Sequence, residues 1–93
     1  MTLSINTTNL DEITFMLLDS KKKVIAEKIT KIVHHENDTI LKLLEQFLKK
    51  QKNPKLTAIE VQAGAGSYTG IRVGTSIAQA LSLAWNIPLK IKK

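Results

Sequence analysis

The residues best suited to chemistry lie in one segment, where all four glycines of the chain occur within eleven residues. Residues 64–74 read GAGSYTGIRVG. Glycine is favoured where the backbone needs a positive φ or where another group must come close. A glycine-rich loop between a strand and a helix is typical of a phosphate site, because backbone N–H groups and the helix N-terminus face the anion.

The spacing of these glycines fails both standard nucleotide-binding motifs. In a P-loop counted from Gly64, the second glycine would fall at Thr69, and no lysine occurs between Lys55 and Lys90. The dinucleotide fingerprint would also need glycine at position 69. Anion binding by the backbone of Ser67 and Thr69 stays open, but nucleotide catalysis is not indicated.

Other candidate groups also favour structural roles. Ser67 lacks the GxSxG setting of a nucleophile and has no base beside it. His34, His35 and Glu36 with Asp38 are candidate metal ligands. The two histidines are adjacent in an extended segment and point opposite ways, and two histidines without a cysteine do not favour a metal site. Glu60 and Gln62 alternate with apolar residues, so we interpret them as the polar face of a strand. We therefore expect no catalytic residue, no metal ligand and no cofactor.

The chain has 93 residues and a formal net charge of +6, from 14 basic and 8 acidic side chains. All basic residues but Arg72 are lysines, which cluster at 21–23, 49–52 and 90–93. Nucleic-acid readers usually rely on arginine, so we interpret these clusters as solvated charge, with an electrostatic patch as the alternative. The chain has no cysteine, no signal-peptide pattern at its start and no membrane-length apolar run, so we expect a cytoplasmic protein without membrane association.

Hydrophobic periodicity predicts the elements that must position these residues. The predicted strands cover 2–8, 12–19, 24–32, 56–63 and a short segment from Leu89. The predicted helices run from a cap at Asn37 or Asp38 to about Lys52, and over 71–85. The order β-β-β-α-β-α-(β) implies an α/β fold with a mixed sheet, and it matches the ribonuclease-H-like half-domain of the actin and sugar-kinase superfamily. We expect residues 1–93 to form one such domain.

The predicted second helix has an unusual polar face. Apolar residues fill about half of its circumference, including Trp85, which we expect in the core together with Phe47 of the first helix. The other half carries small polar side chains and Leu83, with Arg72 as its only charge. A solvent-facing helix of a lysine-rich protein normally carries lysine and glutamate. This face therefore favours packing against another protein, the alternative being that the first helix covers it.

Residues 63–89 resemble the hallmark of TsaB (YeaZ-type) proteins, in which GPGSFTGLRIG is followed by a small-residue helix and a closing IPL. The opening LSINTT of residues 3–8 resembles the first strand of that family, LAIDTS, and His35-Glu36 with the following helix resembles its HSE segment. The chain departs from the family at Asn6, Ala65 and Tyr68, where the family has aspartate, proline and phenylalanine. Family members typically have two half-domains, so the resemblance implies a truncated member that contains the N-terminal one.

The resemblance implies a partner rather than a catalyst. TsaB-like proteins support TsaD, which transfers the threonylcarbamoyl group to adenosine in ANN-decoding tRNAs, and they bind it or each other through helices of the N-terminal half-domain. Asn6 replaces the superfamily's phosphate- and metal-contacting aspartate, which argues further against an ATP role. We expect a non-catalytic scaffold that docks on a TsaD-type subunit or forms a homodimer, with indirect tRNA contact open and a small basic RNA-binding module as the alternative. The predicted interface comprises Ser67, Tyr68, Thr69, Gly70, Arg72, Thr75, Ser76, Gln79 and Leu83.

Overall fold

Five strands and two helices make up the fold, which a computed structural model describes over residues 1–9, 11–32 and 37–93, with only the backbone at Asn37. Their order confirms the predicted β-β-β-α-β-α-β succession, including the short last strand. The elements are β1 (Thr2–Asn6), β2 (Glu12–Leu18), β3 (Val24–Lys31), α1 (Asn37–Lys50), β4 (Ala58–Gln62), α2 (Tyr68–Trp85) and β5 (Leu89–Lys92).

The strands form one mixed sheet in the order β3-β2-β1-β4-β5. The pairs β1–β2 and β2–β3 are antiparallel, whereas β1–β4 and β4–β5 are parallel. Thr2 lies opposite both Leu18 and Ala58, so β2 ends and β4 begins at the same edge, which we call the amino end of the sheet. Asn6 lies opposite Gln62, so the segments that follow β1 and β4 meet at the other edge, the carboxyl end.

The core lies between one face of the sheet and both helices. Alternate residues of β1, β2 and β4 point to this face, as the two-residue period of a strand requires. The Phe15 and Phe47 rings, from β2 and α1, meet with centroids 5.9 Å apart. Burying a side chain of this kind contributes about 1.5–3 kcal/mol, so these contacts hold the helices on the sheet. The buried core residues include Leu3, Ile5, Ile13, Phe15, Leu17, Ile40, Leu44, Phe47, Ile59, Val61, Ile77 and Ala78.

The start of α2 differs from the prediction by one helical turn. The helix begins at Tyr68 rather than Ile71, because the Ser67 side chain caps it by accepting a hydrogen bond from the Gly70 amide at 3.1 Å. It ends as expected at Asn86, whose left-handed backbone (φ 53°) lets its amide bond back to the last turn.

The prediction that Trp85 lies in the core is wrong, whereas Phe47 is buried as expected. Trp85 is 40% exposed and lines a groove between α1 and α2 together with Leu48 and Leu81. Helical periodicity places Trp85 on the side of α2 that faces inward, but its ring opens on this groove and on a second one that Leu48 and Pro54 line, so it is only partly covered. Within the described ranges, neither helix is long and apolar enough to cross a membrane.

Candidate partner interface on the second helix

The glycine-rich loop joins β4 to α2 at the carboxyl end of the sheet and is fixed to the residues that follow β1. The Ser67 amide donates a hydrogen bond to the Thr8 carbonyl oxygen at 2.6 Å. Gly66 has a φ of +136°, and a Cβ built there would overlap the same carbonyl oxygen. Only glycine permits both this backbone conformation and this close approach.

A second glycine, Gly74, allows α2 to pack against Thr7, the residue that follows β1. Thr7 is fully buried, and its hydroxyl donates a hydrogen bond of 2.5 Å to the Gly70 carbonyl oxygen. A Cβ at Gly74 would overlap that hydroxyl oxygen. At Gly66 and Gly74 the requirement for glycine therefore comes from contacts within the chain.

These contacts also occupy the Ser67 groups, which the sequence left open for an anion together with the backbone of Thr69. The Ser67 amide is bonded to Thr8, and the Ser67 hydroxyl caps α2. The Asn6 side-chain oxygen accepts hydrogen bonds from the Thr8 amide (3.0 Å) and the Thr8 hydroxyl (2.7 Å), which forms a local turn. Ser67 therefore acts in a structural turn, and its amide does not face an anion.

The outward face of α2 is exposed to solvent over most of its length. Tyr68 is 73% and Leu83 is 84% exposed, and Arg72 lies with its guanidinium carbon 5.6 Å from the centre of the Tyr68 ring. Such a cation–π contact holds both side chains in place on the surface. We call this surface the α2 face: it consists of the exposed residues Tyr68, Thr69, Arg72, Ser76, Gln79 and Leu83.

The alternative that α1 covers the α2 face is wrong. The groove shared by the two helices is lined by Leu41 and Leu44 of α1 and by Leu81 and Trp85 of α2, and it includes no residue of the α2 face. The remaining residues of the predicted interface lie deeper, because Ser67 and Thr75 are half-buried and Gly70 is buried.

The α2 face includes a shallow depression near its N-terminal end. Its volume is about 290 Å³, and Tyr68, Thr69, Arg72, Val73 and Ser76 line it. From Tyr68 to Leu83 the face extends about 22 Å along the helix axis, given a rise of 1.5 Å per residue. It combines an aromatic ring, an arginine and an apolar end in one continuous surface.

Glu60 is a buried ionic residue, whereas its alternation with apolar neighbours predicted only a place on the polar face of a strand. It is 5% exposed, and its carboxylate lies 3.0 Å from the Lys22 ammonium and 3.5 Å from that of Lys92. Burial disfavours its charge, but the hydrogen bond from Lys22 and the two positive charges outweigh burial and hold the pKa of Glu60 below its ordinary value. The same hydrogen bond raises the pKa of Lys22.

Local sequence contains no signal for this network, since Lys22 and Glu60 are 38 positions apart. The network lies away from the α2 face and does not contribute to it. The candidate metal ligands His34, His35 and Glu36 lie outside the described residues. Among the residues that the structure does describe, no three His, Cys, Asp or Glu side chains are grouped to hold a metal ion.

Comparison with known proteins places this geometry in a family. A family model described as "TsaD: tRNA N6-adenosine threonylcarbamoyltransferase" matches residues 23–91. No curated protein sequence matches the chain. Two solved structures have the same fold, each with a TM-score of 0.81 and 20% identity over 97% of this chain. They are "YeaZ from Pseudomonas aeruginosa" and an uncharacterized protein from the same organism "with similarity to peptidase YEAZ".

The chain spans 42% and 41% of the lengths of these two proteins. At 20% identity the likeness shows the fold, and it confirms the predicted ribonuclease-H-like α/β architecture. Together with the family match, it confirms the resemblance to TsaB (YeaZ-type) proteins that the glycine motif indicated. The interface residues on α2 stay a prediction.

Proposed function

The chain belongs to the family described as "TsaD: tRNA N6-adenosine threonylcarbamoyltransferase", and we propose that it is a non-catalytic partner subunit in tRNA threonylcarbamoyladenosine modification. It docks through the α2 face onto a TsaD-type subunit, and in the absence of that subunit two copies associate through the same face. Residues 1–93 act as one domain, and the place of action is the cytoplasm.

The observation that carries this proposal is the exposed, almost uncharged α2 face. Interface cores are depleted in lysine, glutamate and aspartate and enriched in tyrosine and arginine. The α2 face fits that composition, since Arg72 is its only charge and is already placed against Tyr68. Leu83 adds an apolar side chain that is 84% exposed in the described structure.

The non-catalytic part of the proposal is supported by the groups around the glycine loop. In this fold class, residues after the first strand and in such a loop are the natural contacts for a phosphate. Here Asn6, Thr7 and Ser67 are all engaged in hydrogen bonds within the chain. Their polar groups position α2 on the sheet, which makes the loop a support for the α2 face.

The test is to mix the chain with the TsaD-type subunit of the same organism and to measure the mass of the complex by size-exclusion chromatography with light scattering. The interface variant is Ser76→Glu with Gln79→Glu, which places two carboxylates on the α2 face. The matched control is Thr39→Glu with Gln46→Glu, which makes the same charge change at two exposed positions of α1.

We expect a stoichiometric complex with the wild-type chain and with the control. Burying an unpaired carboxylate costs several kcal/mol, and each 1.4 kcal/mol is a factor of ten in Kd, so the interface variant should bind at least about a hundredfold more weakly. Its unfolding free energy should stay within about 0.5 kcal/mol of wild type, because both sites are exposed. Equal weakening by both variants, or a wild-type chain that ignores the TsaD-type subunit, would contradict the proposal.

A further inference from the structure

The net charge of this protein is located at one end of the molecule. The segments 19–23 and 49–57 contain seven lysines and a single acidic residue, Asp19. Since the whole chain has 14 basic and 8 acidic residues, the other 79 residues carry seven of each and are formally neutral. The formal charge of +6 therefore belongs to these two segments alone.

The fold brings these two segments together although they are distant in sequence. Segment 19–23 is the turn between β2 and β3, and segment 49–57 connects the last residues of α1 to β4. Because Thr2 pairs with both Leu18 and Ala58, the β2–β3 turn and the approach to β4 lie at the amino end of the sheet. The glycine loop is at the opposite, carboxyl end.

The single acidic residue at this end does not balance the lysines. The Asp19 carboxylate accepts hydrogen bonds from the backbone amides of Lys21 (2.8 Å) and Lys23 (2.9 Å) and so serves to hold the turn. Of the lysines, Lys22 is paired with the buried Glu60. The described structure records no ion pair for the six others.

A groove beside this end continues the basic surface along the edge of the sheet. It has a volume of about 450 Å³ between α1 and β3, and Lys28, Lys49 and Lys50 are among its lining residues. Thr30 also lines it, and its buried hydroxyl has no hydrogen-bond partner in the described part of the chain. We name the lysine-rich surface the basic end: Lys21, Lys23, Lys28, Lys49, Lys50, Lys52 and Lys55.

We infer that the basic end binds the sugar-phosphate backbone of an RNA. Lysine ammonium groups act as point charges toward phosphate, and most contacts that position a protein on a nucleic acid go to phosphate and sugar. Protein interfaces are depleted in lysine, which makes a protein partner a poorer fit to this surface. The absence of arginine here predicts binding without sequence preference.

This inference is independent of the proposed function, since the basic end and the α2 face share no residue. The probe is an unmodified tRNA transcript carrying a fluorophore, titrated with the full chain and followed by fluorescence anisotropy between about 50 and 200 mM KCl. The test variant is Lys21→Gln, Lys49→Gln and Lys50→Gln. The matched control is Lys31→Gln, Lys42→Gln and Lys93→Gln, which removes the same charge from three exposed lysines that do not belong to the basic end.

Counterion release contributes about 0.7–0.9 to the slope of log K against log salt for each phosphate neutralised. We therefore expect the salt dependence of the test variant to be shallower, with the magnitude of the slope smaller by about 2–3. We also expect its binding to be at least tenfold weaker at the lowest salt. The control should change the affinity less than about twofold to threefold.

Three results would overturn the inference. The first is an equal loss of affinity in the test variant and the control, which would reflect net charge alone. The second is no binding of the wild-type chain to the transcript at about 50 mM KCl. The third is binding only to vesicles that contain phosphatidylserine. Because the α2 variants leave the basic end intact, failure of RNA binding and failure of docking on the TsaD-type subunit would be seen separately.

Discussion

Replacement of Gly74 by alanine should destabilise the fold, although alanine is the better helix former. Gly74 lies inside α2, where alanine alone would gain about 1 kcal/mol. A Cβ at this position would overlap the Thr7 hydroxyl oxygen, which is buried and bonded to the Gly70 carbonyl. Overpacking costs about 1–3 kcal/mol, and losing a buried hydrogen bond costs about 1–3 kcal/mol more. We expect a net loss of about 2–3 kcal/mol.

The assay is urea and thermal unfolding followed by circular dichroism. For a domain of this size, a loss of that magnitude lowers Tm by roughly 10–20 °C. In a Thr7→Ala background the hydroxyl is gone, and the nearest remaining atom of residue 7 is its Cβ at 3.3 Å. There, Gly74→Ala should cost less than about 0.5 kcal/mol or become stabilising. Ser76→Ala, on the exposed α2 face, serves as the control for a small substitution in the same helix.

Two results would contradict a clash between a Cβ at position 74 and the Thr7 hydroxyl. Gly74→Ala could leave the wild-type chain as stable as before or more stable, which would mean that α2 does not pack on Thr7. Alternatively, the loss could be the same in both backgrounds, which would assign the clash to another neighbour. Only the first outcome would return the glycine at position 74 to a ligand-binding explanation.

Two further predictions concern the ionic network and the core. Because the folded state lowers the pKa of Glu60, its contribution to stability is present above the unfolded-state pKa and is lost as pH falls through the lowered value. Unfolding free energies measured from pH 7 to pH 3 should therefore fall more steeply for wild type than for Glu60→Gln, and parallel curves would contradict the lowered pKa. Phe47→Ala should lower the free energy of unfolding by about 3–5 kcal/mol, because the buried ring packs on Phe15. Trp85→Ala should lower it by less than half as much, because Trp85 is 40% exposed. Equal losses in urea unfolding would disprove this burial assignment.

The order of elements could be predicted from sequence because each element has a clear period. The alternation in β1, the apolar run in β2 and the helical spacing of Ile40, Leu44 and Phe47 correspond to the observed strands and to α1. The start of α2 could not be placed, because capping by Ser67 depends on a side-chain hydrogen bond that leaves no hydrophobic signal.

The composition of the candidate site could be predicted from the sequence, but the contacts between residues distant in sequence could not. The uncharged character of the α2 face follows from its residues, and so does the exposure of Gln79 and Leu83 opposite the buried Ile77 and Ala78. The pairing of Glu60 and the collection of separate lysine clusters at one end depend on strand register and on where each connection crosses the sheet. These are long-range properties, which a local pattern does not contain.

The most direct test of the central claim uses the absence of cysteine in this chain. Ser76→Cys places a single thiol on the α2 face, and Gln46→Cys places one on the exposed surface of α1 as a control. The rate of maleimide labelling is measured with and without a saturating amount of the TsaD-type subunit. We expect labelling to slow at least tenfold at position 76 and to be unchanged at position 46. Unchanged labelling at position 76, or protection at position 46 alone, would contradict docking through the α2 face.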